Sequence, residues 1–330
     1  MMKQVLMAVL LAAGSAGRVA ADDVVLLSFF RHNGESGVYF CLSEDGLNFR
    51  PLNNDKPVMP PATWPKQGLT RDPSVIYHEG KFRMVWTSNW KGRVFGYAES
   101  ADLVKWSEPV QVSPFPESTE PADVPGNTWA PEIHWDAVQR NYLILWSSAT
   151  KNTRGHRTFS CRTADGKTFT PAKLFFDPGF TVIDAQMLLD QPPETAATAT
   201  GPRWVMVVKD EREIKDGGKN LHLTTAPLDF SRPWEPLSKS VFGPGSSVRP
   251  EEMVEGGCLL KIGGEYRLYC DAFANRHYSV AKSSDLAAWT DLTPQLKTPK
   301  GIRHGTVFVA QRAAVGWLKE EIAKPSDVRK

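Results

Sequence analysis

Four carboxylates and one imidazole recur at a coarse interval along the 330 residues: Asp72 in RDPSV, Glu132 in WAPEI, Asp184 in VIDAQM, Glu255 in VEGGCLL and His304 in RHGTVF. Each sits near the start of a short apolar run, and successive members are 60, 52, 71 and 49 residues apart. Acids that share one cavity can divide the work of cleaving a glycosidic bond. One must carry a proton for the leaving oxygen, and another must be ionised to take a proton from water or attack the sugar. Repulsion and burial raise one pKa, whereas a neighbouring cation or backbone amides hold another down. Arg71 is the candidate cation for keeping Asp72 charged, although on an alternating strand it could also point away. An Asp before Pro also starts turns by capping its own backbone. It is the equivalent placement in several units, not Asp72 alone, that points to chemistry.

Sugar rings pack their flat apolar faces on aromatic side chains, and Trp90 in WTSNWKG and Trp129 in NTWAPE fall near the same strand ends as the acids. The remaining tryptophans read as core. Lys209 in VVKDE ends a strand and can reach a substrate or remain solvated. His304 has three readings: substrate contact, metal ligand, or satisfied core imidazole. No second His at ligand spacing accompanies it, so no metal site is expected.

What would position these groups is a repeat. An Asp followed four or five residues later by an aromatic occurs five times, at Asp45/Phe49, Asp102/Trp106, Asp165/Phe169, Asp229/Trp234 and Asp285/Trp289, with the aspartates 57, 63, 64 and 56 residues apart. Each copy reads as a strand, a tight Asp-led turn and a further strand. Two more strand candidates precede four of the copies, as in SVIYHEGKFRMVWTS and GCLLKIGGEYRLYCDAF. Four short antiparallel strands per unit is the β-propeller blade. The expected fold is therefore all-β: a five-bladed propeller with four-stranded antiparallel blades. The first unit is short of a strand, and GTVFVAQ after His304 supplies a spare. Pairing it with the N-terminal blade would close the ring and remove open sheet edges. The first strand of each blade would line the central channel, bringing the five chemical residues together. Residues 191 to 203, QPPETAATATGPR, read as a surface loop between strands of the third blade.

The chain opens with Lys3, an apolar run from Val5 and small residues to Ala21, which predicts a signal peptide over residues 1–21 and a single domain over 22–330. That run is too short to span a bilayer, and no later segment approaches about 20 apolar residues. The expectation is a secreted or periplasmic protein with no membrane span. Lys3 and Arg18 lie in the leader, so 37 of the 39 basic side chains remain against 37 acids. With no basic excess to neutralise phosphates, a nucleic-acid partner is not expected. Cys41, Cys161, Cys258 and Cys270 allow three disulfide pairings or none; Cys258 and Cys270 would face each other only if the hairpin register permits.

RDPSV, WAPEI, VIDA, VEGG with LLKIGGEYRLYCDAF, and RHGTVF, in that order, resemble the five-bladed propeller glycoside hydrolases of family 43, which act on arabinose- and xylose-containing glycans. The resemblance covers nearly the whole chain beyond the leader. It implies Asp72 as general base, Asp184 as the residue that tunes pKa and orients, and Glu255 as general acid. It also implies that Glu132 lies near the sugar and that His304 lies under the site, where some members hold a central cation. No cofactor is implied as a requirement. Two departures stand out: Gly257 replaces the Pro that usually follows Glu-Gly, with Glu251 and Glu252 close enough to compete, and Ala185 follows Asp184. The fructan-cleaving five-bladed class fits less well, because its nucleophile and Glu-Cys motifs do not occur. The substrate-binding candidates are thus Arg71, Trp90, Trp129, Glu132, Lys209 and His304. The expected activity is inverting removal of a terminal pentose, foremost an α-L-arabinofuranosyl unit, from an oligosaccharide or polysaccharide. A β-xylosidase, a galactosidase or galactofuranosidase, and a non-catalytic carbohydrate-binding propeller are the alternatives.

Overall fold

A computed structural model describes residues 22–191 and 201–318. The leader expected over 1–21 and most of the surface loop expected at 191–203 lie outside the described residues.

The chain forms five antiparallel sheets. Blade I contains β1 (Asp23–Phe29), β2 (Tyr39–Ser43) and β3 (Arg50–Pro51). Blade II contains β4 (Arg71–His78), β5 (Lys81–Thr87), β6 (Phe95–Ser100) and β7 (Val110–Val112). Blade III is β8 (Trp129–Asp136), β9 (Asn141–Thr150), β10 (Gly155–Thr163) and β11 (Lys173–Phe176). Blade IV has β12 (Val182–Asp190), β13 (Arg203–Asp210) and β14 (Asn220–Pro227). Blade V has β15 (Glu255–Ile262), β16 (Glu265–Ala272), β17 (His277–Ser283) and β18 (Thr290–Asp291). The last strand, β19 (Val307–Gln311), pairs antiparallel with β1 from Asp23↔Gln311 to Leu27↔Val307 and becomes the innermost strand of blade I. In blade IV the outermost position is an irregular segment along β14, held by the bridge Leu221↔Phe242 and by backbone bonds from Glu235, Ser238 and Val241.

Strand alternation builds the core between blades. In β9, Tyr142, Ile144 and Trp146 face blade II, whereas Leu143 and Leu145 face blade IV. Side chains on a strand point to opposite faces with period two, so a central strand buried on both sides is apolar throughout. Five such clusters fill the five blade interfaces, each buried aliphatic or aromatic side chain contributing about 1.5–3 kcal/mol.

The repeated aspartates are turn caps. Asp45, Asp102, Asp165 and Asp285 each accept the backbone N–H groups two and three residues ahead, and each is preceded two residues earlier by a Ser or Thr hydroxyl bonded to it. Among the described residues Asp229 accepts only from Ser231, in the blade whose outer strand is irregular. Gly263 and Gly264, both left-handed, close the two-residue hairpin from β15 to β16. That register sets Cys258 against Tyr269 rather than Cys270, and all four cysteines are free and buried.

Candidate active site

The innermost strands β19, β4, β8, β12 and β15 touch one another in sequence around the axis. Four of them begin with the same irregularity: register shifts between Arg71 and Ser74, Trp129 and Glu132, Ile183 and Gln186, and Glu255 and Cys258. Inside each bulge one residue is left-handed: Asp72 (φ 50°), Ala130 (φ 46°), Asp184 (φ 55°) and Gly256 (φ 59°). Asp tolerates this region better than most residues, and glycine without strain. The bulge re-aims side chains at the strand mouth. Arg71, Trp129 and Glu255 therefore occupy equivalent first positions, Asp72 and Asp184 the second, and Ser74 and Glu132 the fourth.

This register corrects two expectations. Glu132 lies two residues deeper than Asp72 and does not line the cavity that Asp72 lines. It is 4% exposed and fully engaged below the acids, accepting from Ser74 Oγ (2.6 Å) and Thr306 Oγ1 (2.9 Å). Arg71 makes no ion pair with Asp72. Its guanidinium donates to Asn33 Oδ1 and lies over the rings of Phe30 and Trp90.

The other expected residues converge. A cavity of about 410 Å³ is lined by Arg71, Asp72, Trp90, Trp129, Asp184 and Lys209, together with Glu255 and His304. Asp72 accepts from Thr87 Oγ1 at 2.8 Å, and that hydroxyl in turn accepts the Ala130 N–H. Asp184 is fixed by two backbone amides: its own, given to Ser147 Oγ, and that of Gly256, which donates to Asp184 Oδ2 at 3.0 Å. His304 Nδ1 stands 3.5 Å from Asp72 Oδ1 and 3.8 Å from Asp184 Oδ2, joining the two carboxylates from beneath. The two Glu255 oxygens each accept from a cation, Lys209 Nζ and Arg303, both at 3.2 Å. Trp90 and Trp129 meet edge to face at 5.8 Å and form one wall, with Trp129 Nε1 donating to the Trp90 carbonyl.

Glu251 is exposed, and Glu252 is buried among Arg249, His277 and Ser279, so neither competes with Glu255 for the cavity. Gly257 occupies the position that is Pro73 and Pro131 in blades II and III. A Cβ there would meet Val207 Cγ2 at 2.8 Å and Leu221 Cδ1 at 3.0 Å, so crowding by blade IV accounts for glycine in place of proline.

Burial sets the protonation of the deep groups. It pushes Asp184 up, to about 6, against the pull of the His304 cation. It works against a charged His304 as well, but Asp184, Asp72, Glu255 and Glu132 together hold the imidazole above its ordinary range. Burial also opposes the Lys209 charge and is outweighed by Glu255, Asp184 and Glu211. Glu132 is pushed up to about 7 by burial, which outweighs Ser74, His304 and Thr306. An acid whose pKa is higher folded than unfolded is no burden below its unfolded value; stability is lost as pH rises from there to the folded value. For Glu132 that window runs from 4.5 to about 7. Glu132→Gln is expected to raise the thermal midpoint at pH 8, by the equivalent of about 3 kcal/mol at most, and to change it little at pH 4. Calorimetric melts at both pH values check this, and a variant equally stabilised at both would remove the charge as the cause.

Sequence reasoning missed Arg303, Asp271, Asn33 and Phe273. Arg303 bridges Glu255 and the fully buried Asp271, whose carboxylate also accepts the His304 N–H. Arg303 was visible as the neighbour of His304 in RHGTVF; Asp271 lies opposite Glu255 in a hairpin register that only the bulge defines. Among the described residues, no group of three or more His, Cys, Asp or Glu is arranged to hold a metal ion. No helix among the described residues is long and apolar enough to cross a membrane.

Comparison with known proteins adds to this geometry. The family described as "Probable glycosyl hydrolase domain", related to glycoside hydrolase family 43, matches residues 23–315. No curated protein matches the sequence. Among solved structures, a thermostable family-43 glycoside hydrolase superposes with a TM-score of 0.55 at 19% identity, over 75% of this chain and 82% of its own. An exo-β-1,3-galactanase from Phanerochaete chrysosporium, bound to galactose, gives 0.51 at 14% identity over 70% of this chain and 52% of its own. One from Clostridium thermocellum gives 0.50 at 17%, over 74% and 50%. The match thus spans about half the length of each galactanase. These likenesses show a common fold.

Proposed function

The chain belongs to the glycosyl hydrolase family related to family 43, and from that premise we propose that it is an exported, inverting glycosidase that removes a terminal pentose, foremost an α-L-arabinofuranosyl unit, from a glycan. The observation that carries the reading is the convergence of Asp72, Asp184 and Glu255 on one cavity, with His304 held between the first two.

Water attacks the anomeric carbon and passes its proton to Asp72. The bond from that carbon to the glycosidic oxygen breaks, and the oxygen takes the Glu255 proton. Asp184, fixed by the Gly256 amide, orients the sugar and the charges around it. Both Glu255 oxygens accept from cations in the structure, so in the acid step the carboxyl must carry its proton beside Lys209 and Arg303. The proposed chemistry requires no cofactor. Export rests on the leader read over residues 1–21.

A panel of 4-nitrophenyl pentosides and hexosides, with the first-formed anomer identified by proton NMR, tests the reading. The expected result is release from the arabinofuranoside with inversion; retention, or no release from any glycoside, would overturn it. The galactanase neighbours make galactosides the first alternative to include. A propeller that binds sugars without cleaving them is the second reading, favoured by the doubly paired Glu255, and would show calorimetric binding with no turnover.

A further inference from the structure

Three permanent cations line the cavity, and two are neutralised within it. Lys209 pairs with Glu211 and Glu255, and Arg303 with Asp271 and Glu255. Arg71 differs. It is only 7% exposed, yet among the described residues its guanidinium has no carboxylate within salt-bridge distance; its hydrogen-bond partner is the Asn33 amide oxygen at 3.0 Å. The surroundings hold it in place. The guanidinium carbon stands 4.0 Å from the Trp90 ring centre and 4.6 Å from that of Phe30. Trp90 Nε1 donates to the same Asn33 oxygen, which locks ring, amide and guanidinium together. Gly34 makes the space, since a Cβ there would lie 2.8 Å from Arg71 Cγ.

Withdrawing a charge from water without a counter-ion costs several kcal/mol. A desolvated cation–π contact returns about 2 kcal/mol or more, but neither ring supplies a counter-charge. A planar guanidinium positioned in this way matches a pair of anionic oxygens through two parallel N–H bonds. We propose that Arg71 forms an anion subsite, which selects glycans bearing a negatively charged group, a uronate carboxylate or a sulfate ester, on a sugar beside the cleaved bond. The inference rests on the glycosidase reading only in placing a sugar in this cavity.

The test is calorimetric titration of the full chain with matched pairs: methyl β-D-glucuronide against methyl β-D-glucoside, methyl α-D-galacturonide against methyl α-D-galactoside, and galactose 6-sulfate against galactose. At least one charged member is expected to bind about tenfold or more tightly than its neutral partner, and the pair that gains distinguishes carboxylate from sulfate. Arg71→Met should remove the preference. Asn33→Asp, which supplies an internal counter-ion while leaving Arg71 in place, should also remove it and carries the test if Arg71→Met fails to fold. Equal binding within every pair, or a preference that survives either variant, overturns the subsite. Binding is read without turnover, so the two ideas fail separately. Hydrolysis of neutral glycosides with no charge preference sinks the subsite alone, and a charge preference with no hydrolysis sinks the glycosidase reading alone.

Discussion

Asp72→Asn is expected to lower kcat by about 10²- to 10⁴-fold, the range for removing a general base, on every glycoside the enzyme accepts. The amide keeps an oxygen for the Thr87 hydroxyl, so the bulge and the thermal transition should persist while the proton acceptor is lost. Glu255→Gln should behave differently. A general acid matters in proportion to how poor the leaving group is, so this variant is expected to lose as much on a natural glycan and far less on a dinitrophenyl glycoside. Steady-state rates over aryl glycosides of graded leaving-group pKa separate the two residues. A Glu255→Gln loss that does not vary with the leaving group would remove Glu255 from the acid's role, and undiminished turnover in Asp72→Asn would remove Asp72 from the base's.

Gly256→Ala should damage both the fold and the cavity. The backbone there is left-handed, and a Cβ would lie 2.3 Å from His304 Cδ2 and 2.4 Å from Cγ. Ring atoms of a buried imidazole cannot yield as the tip of a flexible chain can. Left-handed strain of about 1–2 kcal/mol adds to about 1–3 kcal/mol for overpacking. His304 must also move away from Asp72 and Asp184, which then repel each other without the cation between them. The expected outcome is a thermal midpoint lowered by well over the effect of Gly257→Ala, whose Cβ meets methyl groups at 2.8 and 3.0 Å, together with near-complete loss of activity. Calorimetry and turnover on the two variants check it; a Gly256→Ala protein as stable and active as wild type would show that His304 is not held from above.

Turn chemistry is local, and it was readable. A carboxylate that accepts two consecutive amides needs only its own neighbours, so Asp45, Asp102, Asp165 and Asp285 marked the blades, and the blades marked which strands face the axis. What the spacing could not resolve was the bulge at the start of each inner strand. One inserted residue separates Glu255 from the Asp72 position, and two more residues of depth carry Glu132 out of the cavity. The apolar run after each bulge reads the same in either register, so period alone assigned all four acids to one level. Arg71 shows a similar limit. Its neighbour in sequence is Asp72, but its neighbours in space come from Phe30, Asn33 and Trp90, two of them in blade I, a contact that no local pattern encodes.

The strand that completes blade I arrives last. Ser28 exchanges hydrogen bonds with Thr306 across 278 residues, and β1 has β19 on one side. Blades II to V can each assemble from contiguous sequence, but blade I stays open along β1 until nearly the whole chain is available, and so long a loop is slow to close. His304 immediately precedes this strand, so the imidazole between the two aspartates is also among the last parts put in place. Maturation of the cavity is thereby tied to the end of folding: a chain stalled before residue 304 would hold four formed blades, an unpaired inner edge and no competent site.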